Sequence, residues 1–494
     1  MAKTVSSFEL TLHRRPQDQT RADWLYNELR TAILEGRLKY GARLPATRYF
    51  ARLHGLSRGI VVTVFERLQT EGYLSARSGT GTWVSQRVQS GTAKPACPPK
   101  TPVYAACAIS RHPKPKPFIG WVELKGGRPF HMRDPDLAHF PAKIWARIAS
   151  RRIRDFGMWL RADEDRQGYG PLREAIAQYL GSSRGVRCSP DQIVLVSGIQ
   201  QALDLLARFL VKPGDEVWME DPGYFGACVA FGNAGANLVP VLVDEQGLSV
   251  SAGIHISPRA KGVFLTPAHQ FPLGMTMSLE RRMEILSWAS HTGAFIIEDD
   301  YDSEYRFQGK PTPALQGLDR SSTVIFIGTF NKLLFRTLRL GYIVVPPVLI
   351  DSFVSFRRQT EFCSMSLDQI VLREFIAEGH FGRHLRRTRD LYAGRLATLM
   401  EGGRRYLDGI LDISTVQAGL YTAAFLRNGL SSHTAEMRAA AVGIETKALD
   451  RFTLQRPDPM GLLLGFAAFD EAAIYRGVAE LASALGRPRS RNSA

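Results

Sequence analysis

Residues 21–35, RADWLYNELRTAILE, place Trp24, Leu25, Leu29, Ala32 and Ile33 at three- and four-residue intervals, the repeat of an amphipathic helix. GRLKYG breaks it. Pro45 suits the start of a short helix in ATRYFARLHG, which Gly55 ends. Ser57 is a good N-cap for RGIVVTVFERLQTEG, a third helix ending near Gly72. YLSARSGTGTWV then predicts two short strands around a glycine-rich turn. Helix, short helix, tight turn, helix and hairpin is the order of a winged helix-turn-helix, whose third helix enters the DNA major groove.

Further on the pattern changes. IVLVSG, DEVWMED, GVFLT, AFIIEDD and STVIFIG are short, β-branched apolar runs, and amphipathic stretches such as QQALDLLARFLV and ERRMEILSWASHTG lie between them. Alternation of this kind predicts an α/β domain around a mostly parallel sheet. Ligands of such sheets gather at the C-terminal ends of the strands. The segments at those ends are SGIQQ, EDPGYFG, TPAHQFPLG, IEDDYDSEY and GTFNK.

Composition adds a boundary. The 494 residues are 45% apolar and 22% charged, ordinary for globular protein and too long for one domain. The formal net charge is +16, and it is uneven: residues 1–90 carry +7, residues 91–117 carry +5 with no acid, and residues 118–494 only +4. A basic terminal module points to a polyanion partner, here double-stranded DNA. Residues 91–117 also hold seven prolines, which disfavour helix and ladder alike. The expected division is a DNA-binding module over 1–88, a basic proline-rich linker over 89–118, and an α/β module over 119–494. No apolar run is long enough to span a bilayer and the first residues do not read as a secretory leader, so a cytoplasmic location is expected. The five cysteines are scattered, which fits a reducing compartment and argues against disulfides or structural zinc; no metal site is expected.

Three residues at strand ends carry candidate chemistry. Lys332 follows STVIFIG after a short turn and can form a Schiff base with an aldehyde. Arg339 lies seven residues on, within reach of a phosphate. Asp299 ends another strand and can face a protonated pyridine nitrogen. Schiff-base lysine, pyridinium partner and phosphate clamp are the needs of pyridoxal 5′-phosphate.

The front of the chain, from RLPATRYFARLHGLSR to EGYLSARSGTGTWV, resembles the GntR family of DNA-binding domains. The resemblance implies that Arg48 and Arg58 contact DNA, that Ser57 caps the recognition helix with Gly59 and Ile60 beside it, and that Arg77, Ser78 and Gly79 form the wing tip. The family has small polar residues where this chain has Gly59 and Ile60; neither can donate a side-chain hydrogen bond, and Ile60 could meet only a thymine methyl. The rest of the chain resembles the fold-type I aminotransferases, in DPDLAHFPAKIW, PLREAIAQYL, RGVRCSPDQIVLVSGIQQAL, TPAHQFPLG, IEDDYDSEYRF and GTFNKLLFRTLRLGY. The whole is similar to the MocR/GabR family of transcriptional regulators. That likeness implies a homodimer with two DNA readers, arranged head to tail.

By the same likeness, Lys332 would be the Schiff-base lysine and Asp299 the pyridinium partner. Tyr301 would bond the phenolic oxygen, Tyr224 would line the ring, and Arg339 would bind phosphate. Gly198, Ile199 and Gln200 would offer backbone N–H groups at a helix start. Three departures fall on the phosphate cup: Asn331 replaces a serine, Ile199 a threonine, and Asp163 a tyrosine. The expected function is a one-component regulator that senses an amino acid or amine through the bound cofactor. The alternatives are an active aminotransferase carrying a DNA-binding domain, with Arg456 as candidate carboxylate clamp, and a cofactor-free fold that serves only to dimerise.

Overall fold

The computed structural model describes residues 10, 12–13, 15–16, 19–77, 81–85, 129–132, 134–154, 166–307, 309, 312–360, 367–455 and 460–486. The proline-rich stretch lies outside the described residues. The chain divides into two compact units, Met1–Phe118 and Ile119–Ala494.

In the small unit, helix α1 (Arg21–Leu34) starts at Thr20, whose side chain accepts from the Asp23 N–H. A two-residue strand β1 (Arg43–Leu44) follows, then α2 (Thr47–Leu53) and α3 (Arg58–Thr70). Strands β2 (Leu74–Arg77) and β3 (Gly81–Val84) make the wing, and the sheet order is β1-β3-β2, all antiparallel. Leu25, Leu29 and Ile33 of α1, Phe50 of α2, and Val61, Val64, Phe65 and Leu68 of α3 form one core. Phe50 meets Phe65 edge to face, with centroids 5.5 Å apart. Strand β1 was not foreseen, because two residues, only one of them buried, make no period.

The large unit is built on an eight-stranded sheet. Its strands are β4 (Ile193–Val196), β5 (Glu216–Asp221), β6 (Asn237–Asp244), β7 (Gly247–Leu248), β8 (Gly262–Leu265), β9 (Phe295–Asp300), β10 (Val324–Thr329) and β11 (Gly341–Val344). Their order is β4-β11-β10-β9-β8-β5-β6-β7. Neighbours from β10 through β6 are parallel; β11 runs antiparallel between β10 and β4, and β7 pairs antiparallel with β6. The sheet is therefore mostly parallel, as the alternating pattern predicts. Both faces are covered. Val194 and Val196 pack with Leu203, Leu206 and Phe231, whereas Ile193 and Leu195 pack with Leu172 and Ile176 on the other side. Burial on both faces explains why β4 and β10 read as unbroken apolar runs.

A second sheet occupies the C-terminal part: β12 (Leu411–Ile413), β13 (Tyr421–Leu426), β14 (Lys447–Ala448) and β15 (Gly461–Gly465), in the antiparallel order β12-β13-β15-β14. On one face Ala424, Leu462 and Leu464 join the main core with Ile474, Val478 and Leu481 of helix Glu471–Leu485. On the other, Tyr421, Ala423 and Leu463 pack with Phe271, Leu449, Tyr224 and Tyr301. This face meets residues from the strand ends of the first sheet.

Candidate functional site

The parallel strands deliver their C-terminal ends side by side. In register, Ile327 of β10 stands beside Asp299 of β9, and Leu265 of β8 beside Glu298. Asp299 is 4% exposed, and its Oδ1 has no hydrogen-bond partner among the described residues. The acids around it are engaged. Glu298 accepts from the backbone N–H groups of Leu315 and Gln316, both at 2.8 Å. Asp300 holds Arg184 at 2.7 Å, Asp302 holds His269 at 2.8 Å, and Glu304 accepts from Tyr179 at 2.7 Å. Burial, then the charges of Asp300, Asp302 and Glu220, push the Asp299 carboxyl well above the usual carboxylate range. A cation beside Oδ1 would reverse that cost. Asp299 is thus an unpartnered buried carboxylate that suits the protonated nitrogen of a pyridine ring.

The other predicted residues cluster near it. Tyr224 follows β5, and burial, then the charge of Asp299, raises its phenol above the usual range. Its ring lies edge to face with Phe271, centroids 5.7 Å apart. It also lies where a Cβ on Gly226 would stand, 2.5 Å from the nearest ring carbon, so only glycine fits there. Gln200 donates to the Gly226 carbonyl at 3.0 Å and so ties the start of helix Ile199–Leu210 to this loop. Tyr301 donates to the His269 carbonyl at 2.8 Å, and its hydroxyl lies 2.5 Å from that of Tyr421. Lys332 Nζ donates to the Met132 carbonyl at 3.1 Å.

The residues expected to take phosphate lie around the start of one helix. Gly198 precedes helix Ile199–Leu210 at φ 111°, a value that favours glycine. Asn331 Oδ1 accepts from the Leu340 N–H at 3.1 Å, and Asn331 Nδ2 stands 3.2 Å from where a Cβ on Gly198 would be. Asn331 therefore spans the lysine turn and the helix start, where its amide nitrogen is a hydrogen-bond donor. Ile199 is half-buried against the core beside the sheet and offers only its backbone N–H. Arg339 is exposed, with φ 51°, and makes no hydrogen bond or ion pair among the described residues. Asp163 and Arg456 lie outside the described residues.

Three residues that the sequence did not single out individually lie near these groups. His269 is held by Asp302, and a Cβ on Gly419 would stand 2.0 Å from its ring, so the bend that leads into β13 must carry glycine there. Tyr421 and Met132 reach the site from far along the chain. His269 lies in TPAHQFPLG, a segment the sequence did flag; Tyr421 and Met132 lie outside every segment it singled out.

Glu220, 2% exposed, accepts from the Thr266 N–H and hydroxyl at 3.2 and 2.7 Å, while its other oxygen is unpartnered. Burial pushes it up to about 7. An acid whose folded pKa exceeds its unfolded value loses stability as pH rises from the unfolded pKa to the folded one. The full difference is about 3 kcal/mol at most. Glu220→Gln keeps the accepted bonds and removes the titration. In urea unfolding of cofactor-free protein, the variant should gain on the parent by about 1–3 kcal/mol between pH 5 and pH 8. A gap that does not change with pH would refute this.

In the small unit, Arg48 is exposed at the second position of α2, and Arg58 opens α3. Ser57 caps α3 by accepting from the Ile60 N–H at 3.4 Å. Ile60 packs in part against the unit's core, which limits what it can offer to a base. Gly59 is exposed, and a Cβ there meets nothing within 4 Å. Gly59→Ala should therefore stabilise this unit by about 0.5–1 kcal/mol in thermal unfolding, the usual helix gain. Weaker DNA binding by the same stable variant would mark close approach of DNA at this position. Arg77 ends β2, its side chain is not described, and Ser78 and Gly79 lie outside the described residues.

A wing-bearing helix-turn-helix and a fold-type I aminotransferase-like unit in one chain define a class of regulator. The gntR family of bacterial regulatory proteins matches residues 21–84, and the aminotransferase class I and II family matches residues 141–449. The chain is 40% identical over 471 residues to a probable rhizopine catabolism regulatory protein, MocR, of Rhizobium meliloti, covering 93% of each. It is 30% identical to the HTH-type transcriptional regulator TauR of Rhodobacter capsulatus, over 98% of this chain and all of that one. Among solved structures, a kynurenine aminotransferase of Pyrococcus horikoshii, in complex with PMP, aligns with a TM-score of 0.67 at 27% identity, over 73% of this chain and 91% of that one. LysN, an α-aminoadipate aminotransferase of Thermus thermophilus, aligns equally well at 28% identity over 73% and 92%. The chain belongs to the MocR family of GntR-type transcriptional regulators. Among the described residues, no helix is long and apolar enough to cross a membrane.

Proposed function

We propose that this regulator binds operator DNA through residues 1–88 and holds pyridoxal 5′-phosphate in the unit over 119–494, where an amino compound is read. Residues 89–118 act as the tether between them. The observation that carries the reading is Asp299, a buried carboxylate with an unpartnered oxygen beside Tyr224 and Tyr301. Lys332 would hold the cofactor through Nζ. Arg339, Asn331 and the first N–H groups of helix Ile199–Leu210 would take its phosphate, and Tyr301 its phenolic oxygen. When bound, the cofactor supplies an electrophilic carbon that an incoming amine can take over from the lysine.

The residues of the chain then do the rest. Asp299 keeps the ring nitrogen protonated, because an ionised carboxylate in this acid-rich interior is favourable only beside a cation. Released Lys332 Nζ returns to the Met132 carbonyl, the contact seen here at 3.1 Å. Met132 belongs to the segment that enters the large unit from the tether, and Phe130 in that segment accepts from the Gly465 N–H of β15 at 2.8 Å. Loss and gain of the lysine contact therefore act on the stretch next to the DNA reader's tether. An effector shifts the regulator only by its different affinity for the two arrangements.

The test is spectroscopic. Purified full-length chain loaded with pyridoxal 5′-phosphate should keep a near-visible absorbance band through desalting, and an effector amine should change both the band and DNA affinity. A chain that never retains the band overturns the reading. Aminotransferase turnover is the second reading, favoured by the solved neighbours, which are aminotransferases. Keto acid formation at about 1 per second or faster, in the ordinary enzyme range, would establish it.

A further inference from the structure

The wall facing Asp299 and Lys332 narrows the chemistry of the amine. On the inner face of the C-terminal sheet, β13 presents Tyr421, Ala423 and Phe425, and β15 presents Leu463 between two glycines. Leu463 is fully buried and packs with Tyr421, Phe271 and Leu449, in the group that Met132, Tyr224 and Tyr301 join. The one basic residue on this face of the paired strands is Lys447, whose Cα pairs with that of Leu463. Its Nζ is turned to Glu436 at 3.6 Å, and Arg451 is drawn to the same carboxylate at 2.6 Å.

The strand-end loops repeat the picture. Residues 221–224 and 266–274 contain no Lys or Arg, and their one basic side chain, His269, is held by Asp302. The nearby carboxylates Glu220, Asp299 and Asp302 are all buried. Arg339 is exposed and assigned to phosphate. Among the described residues this wall offers no cation that is not already engaged, so a carboxylate brought against it would be buried without a described partner, whereas an uncharged body would not.

We infer that the effector is an amine without a carboxylate: an ammonium group on an uncharged body, received beside Tyr224, Tyr301 and Met132, the partly exposed members of the group that Leu463 and Phe271 back. This rests on the cofactor reading above. The ammonium is the group that would react at the cofactor beside Lys332, and the apolar cluster of Leu463 and Phe271 accepts the uncharged remainder without a buried, unpaired charge.

The test compares matched pairs on cofactor-loaded, full-length protein: butylamine against 4-aminobutyrate, and phenethylamine against phenylalanine. Each amine is expected to shift the absorbance band at a concentration at least about 10-fold below that of its carboxylate partner. Equal or tighter binding of the carboxylates overturns the inference. If the chain retains no band at all, the cofactor reading has failed instead, so the two failures are distinct. Leu463→Arg should invert the preference by placing a guanidinium on the wall. The parent comparison needs no substitution, so it decides the matter even if that variant does not fold.

Discussion

Lys332→Ala is expected to abolish lysine-linked retention of pyridoxal 5′-phosphate and, with it, any response of DNA binding to an effector. The side chain contributes a half-buried ammonium and a hydrogen bond to the Met132 carbonyl at 3.1 Å. Loss of one such bond costs about 0.5–1.5 kcal/mol, so the variant should stay folded. Only the amine is removed; Asp299, Tyr301, Asn331 and the helix start remain. The cofactor should then be held by hydrogen bonds and ion pairs alone and wash out on desalting, since the covalent link is gone. Borohydride reduction of the parent, followed by peptide mapping, should place the cofactor on the peptide that contains Lys332. The same band and the same reduced peptide yield in Lys332→Ala would refute its assignment. Basal DNA affinity should be unchanged, because the DNA-contacting residues lie in the other unit.

The second large effect is on DNA. Arg48→Ala and Arg58→Ala should each weaken operator binding by about 1–3 kcal/mol, roughly 5- to 150-fold, if each holds a guanine edge or a phosphate through its planar fork. Both side chains are exposed and sit at the N-terminal ends of α2 and α3. Their removal should leave the core of Phe50, Val61, Val64 and Phe65 intact, so thermal stability is expected to change by less than about 0.5 kcal/mol. Salt titration separates the two roles. A phosphate-binding arginine lowers the slope of log affinity against log salt by about one when removed; a base-reading arginine instead relaxes sequence preference. Binding of the double variant within 2-fold of the parent, at about 0.1 M salt, would remove both residues from the interface.

Much of the small unit was readable because its signals are local. Ser57 caps α3, Pro45 precedes α2, and glycines follow each helix, all within a few residues of the elements they delimit. The strand-end chemistry was readable for a related reason. Parallel strands must present their C-terminal ends on one edge of a sheet, so Asp299, Tyr224, Gly198 and Lys332 were bound to share that edge once the alternation was seen. Strand β11 was harder. It runs against its neighbours between β4 and β10, and an apolar run carries no mark of direction.

The roles inside IEDDYDSEY show where sequence reasoning stopped. Five of its nine residues are acids, and nothing local tells them apart. Tertiary structure does so through partners more than 10 residues away. Arg184 takes Asp300, Tyr179 takes Glu304, His269 takes Asp302, and Asp299 alone of these is left with no hydrogen bond or ion pair among the described residues. The same holds for Tyr301, whose nearest hydroxyl belongs to Tyr421, 120 positions on.

The sequence by itself determined the two-part plan, the winged helix-turn-helix, the mostly parallel sheet and the identity of the lysine at a strand end. Each follows from periods, caps and turns, whose physical causes act over a few residues. Only the tertiary structure decided which carboxylate of IEDDYDSEY has no hydrogen bond among the described residues, that Asn331 reaches from the Leu340 N–H to the start of helix Ile199–Leu210, and that Leu463, Ala423 and Phe271 pack in one group with Tyr224 and Tyr301. Those outcomes depend on which distant side chains share a desolvated space. In such a space, a charge must find a partner, shift its pKa or wait for a ligand.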